Sequence, residues 1–131
     1  LRADLAVAVL VYAASIGWTL GYDSIYAAQD SEDDALAGVK SSARAMGAWM
    51  LPGISLFYTL TIGAMALAVW RAGASWPVIG AFLPAALHLG WQVFTLDPGN
   101  TRSTLVRFRS NQWAGALLLL PILLAAIEAG A

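Results

Sequence analysis

The chain has 131 residues, 60% of them hydrophobic and only 11% charged, with a formal net charge of −1 and a mean hydropathy of +0.69. Soluble domains carry about 25% charged residues, so this composition argues for a protein of the lipid bilayer. With no basic patch there is no reason to expect a nucleic-acid partner, and with no cysteine disulfides and thiolate metal sites are excluded.

The chain starts at Leu1 and runs almost at once into an apolar segment, Leu5 to Ala28. It has neither the basic n-region nor the small-residue cleavage site of a secretory leader, and reads as a piece of a longer chain. Asp23 lies inside this first segment. An acidic stretch follows: five of the eight acidic residues, Asp23, Asp30, Glu32, Asp33 and Asp34, fall between Tyr22 and Arg44. Next come Met46 to Trp70, 25 residues with no charge, and Ala72 to Leu96, 25 residues with only His88 titratable. Ser110 to Ile127 adds 18 uncharged residues. A spanning helix needs about 20 predominantly apolar residues, so the expected fold is an all-α membrane protein with four transmembrane helices. No alternating pattern supports a β-barrel.

The short turn Arg71-Ala-Gly-Ala-Ser predicts an antiparallel hairpin of the second and third spans, with Trp70 and Trp76 at the membrane interface. Asp97-Pro-Gly-Asn predicts a turn before the last span. Pro52, Pro84 and Pro121 fall inside the predicted spans, where membrane helices tolerate them and kink. Lys40 and Arg44 lie in the first connection, and Arg102, Arg107 and Arg109 in the third. Alternating spans put these five on one side, against Arg2 and Arg71 on the other. That bias places the acidic loop in the cytoplasm.

On a helix, Asp23, Asp30 and Asp34 share one stripe, being seven and four residues apart. From Asp23 to Asp34 the rise is ~16 Å, too far for one ion to touch both ends. Asp30 and Asp34 together suit one or two ions near the membrane surface. Carboxylate oxygens with no thiolate favour Mg²⁺, which keeps several waters and bridges to substrate phosphates. Gly38 lets the chain turn, Lys40 supplies a point charge and Arg44 a bidentate fork. Carboxylates followed by cations fit a metal-bridged diphosphate. Against this, Ser-Glu-Asp-Asp is most often a solvated loop, and Glu32 and Asp33 need be no more than that. Asp23 is a functional candidate by default, because an intramembrane carboxylate costs about 2.5–3.5 kcal/mol on insertion scales. The plainer account is that Tyr or Ser hydroxyls of neighbouring helices satisfy it. His88 and Gln92, four apart in the third span, read as packed structural groups and stay outside the expected site.

Tyr22-Asp23, Tyr26-Ala27, Asp30, Asp33-Asp34 and Gly38-Val39-Lys40-Ser41-Ser42 resemble the second aspartate-rich motif of the UbiA superfamily of intramembrane prenyltransferases. The similarity is greatest to its 4-hydroxybenzoate polyprenyltransferases. His88, Trp91-Gln92 and Phe108-Arg109-Ser110-Asn111 resemble later helices of that branch. The resemblance covers residues 1–131 but only about the C-terminal half of the family's length, and the family's first motif, N-D-x-x-D, is absent. It implies a single domain with a nine-helix bundle, of which these are spans six to nine.

The resemblance also implies an activity. A polyprenyl diphosphate ionises with Mg²⁺ assistance, and the allylic cation alkylates 4-hydroxybenzoate ortho to its hydroxyl, in ubiquinone biosynthesis at a bacterial or mitochondrial inner membrane. Under it Asp30 and Asp34 bind metal, Lys40 then Arg44 contact diphosphate, and Lys40 and Asp23 serve catalysis. For Asp23 three roles stay open: holding metal-bound water, orienting a neighbour, or activating the acceptor. Tyr22 and Tyr26 line the cavity or pack. Arg102, Arg107 and Arg109 reach diphosphate, or serve orientation and lipid head groups. Two other readings stand beside this one. The first is prenyl transfer to another acceptor. The second is a cation-binding transporter or channel segment, which has no need of the Gly-x-Lys-Ser block.

Overall fold

A computed structural model describes residues 4–29 and 47–131. Its elements are α1 (Leu5–Gln29), a 3₁₀ turn at Gly47–Trp49, α2 (Met50–Arg71), α3 (Trp76–Gly80), α4 (Leu83–Thr95) and α5 (Thr101–Gly130). No strand occurs among the described residues. Four stretches are long and apolar enough to cross a membrane: Leu5–Ala28, Met50–Arg71, Trp76–Thr95 and Thr101–Gly130. The chain is thus an integral membrane protein, and helices satisfy the backbone where no water can.

Two span boundaries depart from the expected ones. The third span is not one helix but two, α3 and α4, joined at Ala81–Phe82. Pro84 is the cause. It has no N–H to offer the Gly80 carbonyl, and its ring disfavours helical backbone at the residue before it. The chain tightens instead, with Ala81 N–H on the Val78 carbonyl at 3.1 Å and Phe82 N–H on the Ile79 carbonyl at 3.2 Å. The fourth span begins at Thr101 rather than Ser110. Arg102, Arg107 and Arg109 therefore ride on α5 and not in a connection. Asn100 starts that helix by accepting the Ser103 N–H at 3.1 Å. The expected turn precedes it, with Asn100 N–H on the Asp97 carbonyl at 3.0 Å and Gly99 N–H on the Asp97 side chain at 3.1 Å. Pro52 falls in the first turn of α2, where its missing N–H costs nothing. Only Pro121 lies deep within a helix, buried in α5.

The α2–α3 hairpin closes as expected. Gly73 adopts a left-handed φ of 98°. Its N–H reaches the Trp70 carbonyl at 2.9 Å, and the Ala74 N–H reaches the Val69 carbonyl at 3.0 Å. This pair of bonds is the glycine-terminated stop that a left-handed residue permits. Trp70 and Trp76 are exposed on either side of it.

α1 and α2 approach closely because two glycines one turn apart face α2. A Cβ on Gly17 would sit 3.0 Å from Thr61 Oγ1, and one on Gly21 2.3 Å from the Tyr58 ring. This is small-xxx-small packing, which membrane helices use because apolar area gives them no drive to associate. The same approach lets Thr61 Oγ1 donate to the Ala14 carbonyl at 3.1 Å. At the end where α1 begins, Arg71 Nε meets Asp4 Oδ2 at 3.4 Å, and Glu128 accepts the Ser75 N–H at 2.9 Å. The opposite end holds Gln29, Gly47 and the α4–α5 turn.

Gly21→Ala should destabilise the fold by about 1–3 kcal/mol through overpacking against Tyr58. Gly63→Ala, where an added Cβ meets nothing within 4 Å, should change it by no more than about 0.5 kcal/mol. Reversible unfolding in detergent measures both. A second expectation concerns pH. The Val7 N–H, and then the Arg71 guanidinium, hold the Asp4 carboxyl below its ordinary value of 3.8. A carboxyl lowered in the folded state stabilises above its unfolded pKa and loses that contribution as pH falls through the folded one. The stability difference between the native chain and Asp4→Asn should therefore be constant above about pH 5 and shrink towards zero as acid protonates Asp4.

Candidate functional site

The end of α1 carries the described part of the aspartate-rich motif. Trp18, Tyr22 and Tyr26 recur every four residues and so share one helix face. α5 sets Phe108 against them. The ring centroids of Trp18 and Tyr22 are 5.4 Å apart, those of Tyr22 and Phe108 6.1 Å, and those of Tyr26 and Phe108 4.9 Å. All three pairs are tilted or edge-on, the geometry that aromatic quadrupoles prefer. Beside them opens a recess of about 570 Å³ lined by Trp18, Tyr22, Phe108, Arg109, Asn111 and Gln112.

Asp23 is exposed on α1. It lies six residues, ~9 Å along the axis, from the end of α1. Among the described residues it has no hydrogen-bond or ion-pair partner. The expected alternative, a carboxylate satisfied by hydroxyls of neighbouring helices, does not hold there. The Ser24 hydroxyl donates to the Leu20 carbonyl at 2.7 Å, and the Tyr58 hydroxyl to Gln92 Oε1 at 2.7 Å.

Asp30, Asp34, Lys40 and Arg44, the expected metal and diphosphate residues, lie outside the described residues, as do Glu32 and Asp33. Among the described residues no three His, Cys, Asp or Glu side chains gather as a metal site. Of the three arginines, Arg107 is engaged: its Nε donates to Thr95 Oγ1 at 3.2 Å and its guanidinium stands 4.9 Å from the Trp91 ring. Arg102 and Arg109 are exposed and make no such contact among the described residues. His88 is structural, as expected. Its Nε2 lies 3.2 Å from the Ser110 carbonyl, which can only accept, so that nitrogen carries the proton.

Gln92 proves more consequential than its neighbour. It is fully buried, and it pairs side chain to side chain with Asn111. Gln92 Nε2 donates to Asn111 Oδ1 at 3.2 Å, and Asn111 Nδ2 donates back to Gln92 Oε1 at 3.3 Å. Tyr58 donates to Gln92 as above, and Trp18 Nε1 donates to Asn111 Oδ1 at 3.0 Å. Four residues from α1, α2, α4 and α5 thus form one buried network, so every span contributes one member. Trp18, Phe108 and Asn111 were not singled out as site residues from the sequence. The available signal was chemical: an Asn or Gln inside an apolar span usually bonds across helices.

A second hollow, about 400 Å³, opens between α2 and α4. It is less suited to chemistry. Its polar lining groups, Ser55, Tyr58 and Thr59, already donate to the Leu51 carbonyl, Gln92 Oε1 and the Ser55 carbonyl, and nothing charged lines it.

Comparison with known proteins identifies the family. Residues 2–116 match the model of the UbiA prenyltransferase family. The chain is 39% identical over 108 residues to the mitochondrial 4-hydroxybenzoate polyprenyltransferase of Caenorhabditis elegans, covering 82% of this chain and 30% of that protein. It is 36% identical over 121 residues to the human protein of the same name, covering 92% and 33%. Against 4-hydroxybenzoate geranyltransferase 2 of Lithospermum erythrorhizon it is 38% identical over 118 residues, covering 90% and 39%. The chain therefore spans about a third of the length of these curated relatives. No solved structure matches it significantly. On the strength of the match over most of its length, the chain belongs to the UbiA prenyltransferase family.

Proposed function

We propose that this chain is the C-terminal part of a single-domain membrane enzyme. The enzyme transfers a polyprenyl group from polyprenyl diphosphate to the ring of 4-hydroxybenzoate, with Mg²⁺, in ubiquinone biosynthesis. The observation that carries the reading is Asp23: a carboxylate at membrane depth with no hydrogen-bond or ion-pair partner among the described residues, following Tyr22 of the aromatic recess in sequence, in a chain of this family. The relatives' names support the acceptor, since each contains 4-hydroxybenzoate, while polyprenyl in two and geranyl in the third leave the donor's length unassigned. The orientation we favour puts residues 30–46 in the bacterial cytoplasm, or on the equivalent side of the mitochondrial inner membrane. Arg102 and Arg109 lie on the same end as Gln29 and Gly47, in keeping with that choice.

The donor set fits a hard cation. There is no thiolate, and His88 is committed to a carbonyl, so carboxylate oxygens are what the segment offers. In this proposal Asp30 and Asp34 hold Mg²⁺ directly or through water. Lys40, and then Arg44, bind the outer oxygens of the diphosphate and fix its orientation. When bound, Mg²⁺ supplies charge neutralisation for the leaving diphosphate. Tyr22, Tyr26 and Phe108 wall the cavity and exclude water from the allylic centre. Asp23 acts by holding metal-bound water, by orienting a neighbour, or by activating the phenol. The allylic C–O bond breaks, a C–C bond forms ortho to the hydroxyl, and the ring proton is lost to restore aromaticity. Family membership weighs against the transporter reading.

The test uses the protein at the full length of its relatives, incubated with Mg²⁺, polyprenyl diphosphate and 4-hydroxybenzoate. Prenylated 4-hydroxybenzoate should form and should vanish with EDTA. Asp30→Ala should lower kcat by about 100-fold or more, the scale on which losing one preorganised electrostatic group acts. No product from a folded protein sinks the transfer reading, and an Asp30→Ala variant with full activity removes that residue from the metal site.

A further inference from the structure

The buried amide network has a polarity that cannot be reversed. Asn111 Nδ2 lies 3.1 Å from the Arg107 carbonyl and 3.3 Å from the Phe108 carbonyl, both of which only accept. Its Oδ1 faces the Trp18 indole N–H, which only donates. The Asn111 amide is therefore locked from both sides. Trp18 is locked too. Its Nε1 is held by Asn111, and its six-membered ring lies against Gly115 one turn further along α5, where an added Cβ would stand 2.9 Å from Cη2. Asn111 and Gly115 form a cradle that admits the indole in one position. From Trp18 the contact passes to Tyr22, one turn on, which is the chain neighbour of Asp23.

We propose that Asn111, backed by Gln92, is a positioning residue: through Trp18 it sets the rotation and depth at which α1 presents Tyr22 and Asp23. This rests on the transfer reading above. Asn111 touches neither substrate nor metal in this account, and acts only through where it puts α1. Trp18 is the linking side chain, and Thr61 provides the contrast. Thr61 Oγ1 also bonds α1 across a helix interface, to the Ala14 carbonyl, but one turn before Trp18 and away from Tyr22.

Trp18→Phe keeps an aromatic ring in the cradle and removes only the N–H. In the full-length protein it should lower kcat by about 10–100-fold, the cost of misplacing a reacting group by about 1 Å, with KM for polyprenyl diphosphate changing less than threefold. Thr61→Val should lower the unfolding midpoint comparably and leave kcat of the folded protein unchanged. Exchanging the amides, Gln92→Asn with Asn111→Gln, should recover at least half of the kcat that either single change loses. A physical readout accompanies these. Spin labels at Asp23→Cys and Gln112→Cys, in a cysteine-free background, should give a distance distribution that Trp18→Phe shifts or broadens and Thr61→Val does not. If wild type turns over and Trp18→Phe does so equally well with an unchanged label distance, Asn111 is only a packing element and the proposal is overturned. If wild type itself forms no product, the transfer reading fails and the catalytic half of the proposal with it. An unchanged label distance in that case removes the positional half as well.

Discussion

The reciprocal pairing of Gln92 with Asn111 is the constraint on which the arrangement of the four spans depends. Between transmembrane helices apolar burial does not distinguish protein from lipid, so side-chain packing and hydrogen bonds decide which faces meet. Each interhelical bond of this kind contributes about 0.6 kcal/mol on average in a membrane protein. Four such bonds amount to only a few kcal/mol. Their weight lies in the alternative, since an amide buried at Gln92 or Asn111 with no partner loses its full desolvation energy. Because one member comes from each span, slipping any single helix strands a polar group on another. Close contact between α1 and α2, permitted by Gly17 and Gly21, then brings Tyr58 near enough to take part.

This division of labour leaves a clear contrast on α1. Trp18 is bonded and clamped, and the Ser24 hydroxyl is turned back on its own helix, yet Asp23 between them makes no hydrogen bond or ion pair among the described residues. Polar groups used for construction are bonded, and the one carboxylate inside this span takes no hydrogen-bond or ion-pair partner among the described residues. Such an arrangement is expected where a charged group serves chemistry, because any internal partner competes with the ligand.

Much of the architecture was legible. Uninterrupted apolar runs located the four spans, Asp97-Pro-Gly-Asn its turn, and Gly73 the hairpin. The start of the last span was misplaced because charge was taken as the marker of a helix end. Arginines extend their head groups towards water while their stems stay on the helix, so α5 continues through Arg102, Arg107 and Arg109 to the Asn100 cap. The break in the third span was signalled by Pro84, but a kink and a break look alike until the backbone bonds are counted. The network was hidden for another reason. Trp18 and Asn111 are 93 positions apart, and Tyr58 and Gln92 are 34 apart. Nothing local says which polar residues in different spans share a depth. The Gly17-x-x-x-Gly21 spacing, by contrast, was readable and went unread. As for the site, the motif identified the family's chemistry through resemblance. Spacing alone could place Asp23, Asp30 and Asp34 on one stripe but could not say that Asp23 would face outward.

The prolines acquire a mechanical meaning from their positions. Pro84 precedes Gln92 by eight residues, so the third span is interrupted between its amide and the far membrane face, whereas α5 runs unbroken through Pro121. An unbroken 20-residue helix is a lever about 30 Å long, and a tilt of 5° imposed at one end displaces the other by roughly 2.6 Å. A displacement of that size exceeds the tolerance of a hydrogen bond. The interrupted third span shortens its lever. The break at Ala81–Phe82 stands between the Ser75 end of the third span and Gln92, while α5 links Glu128 to Asn111 through one continuous helix.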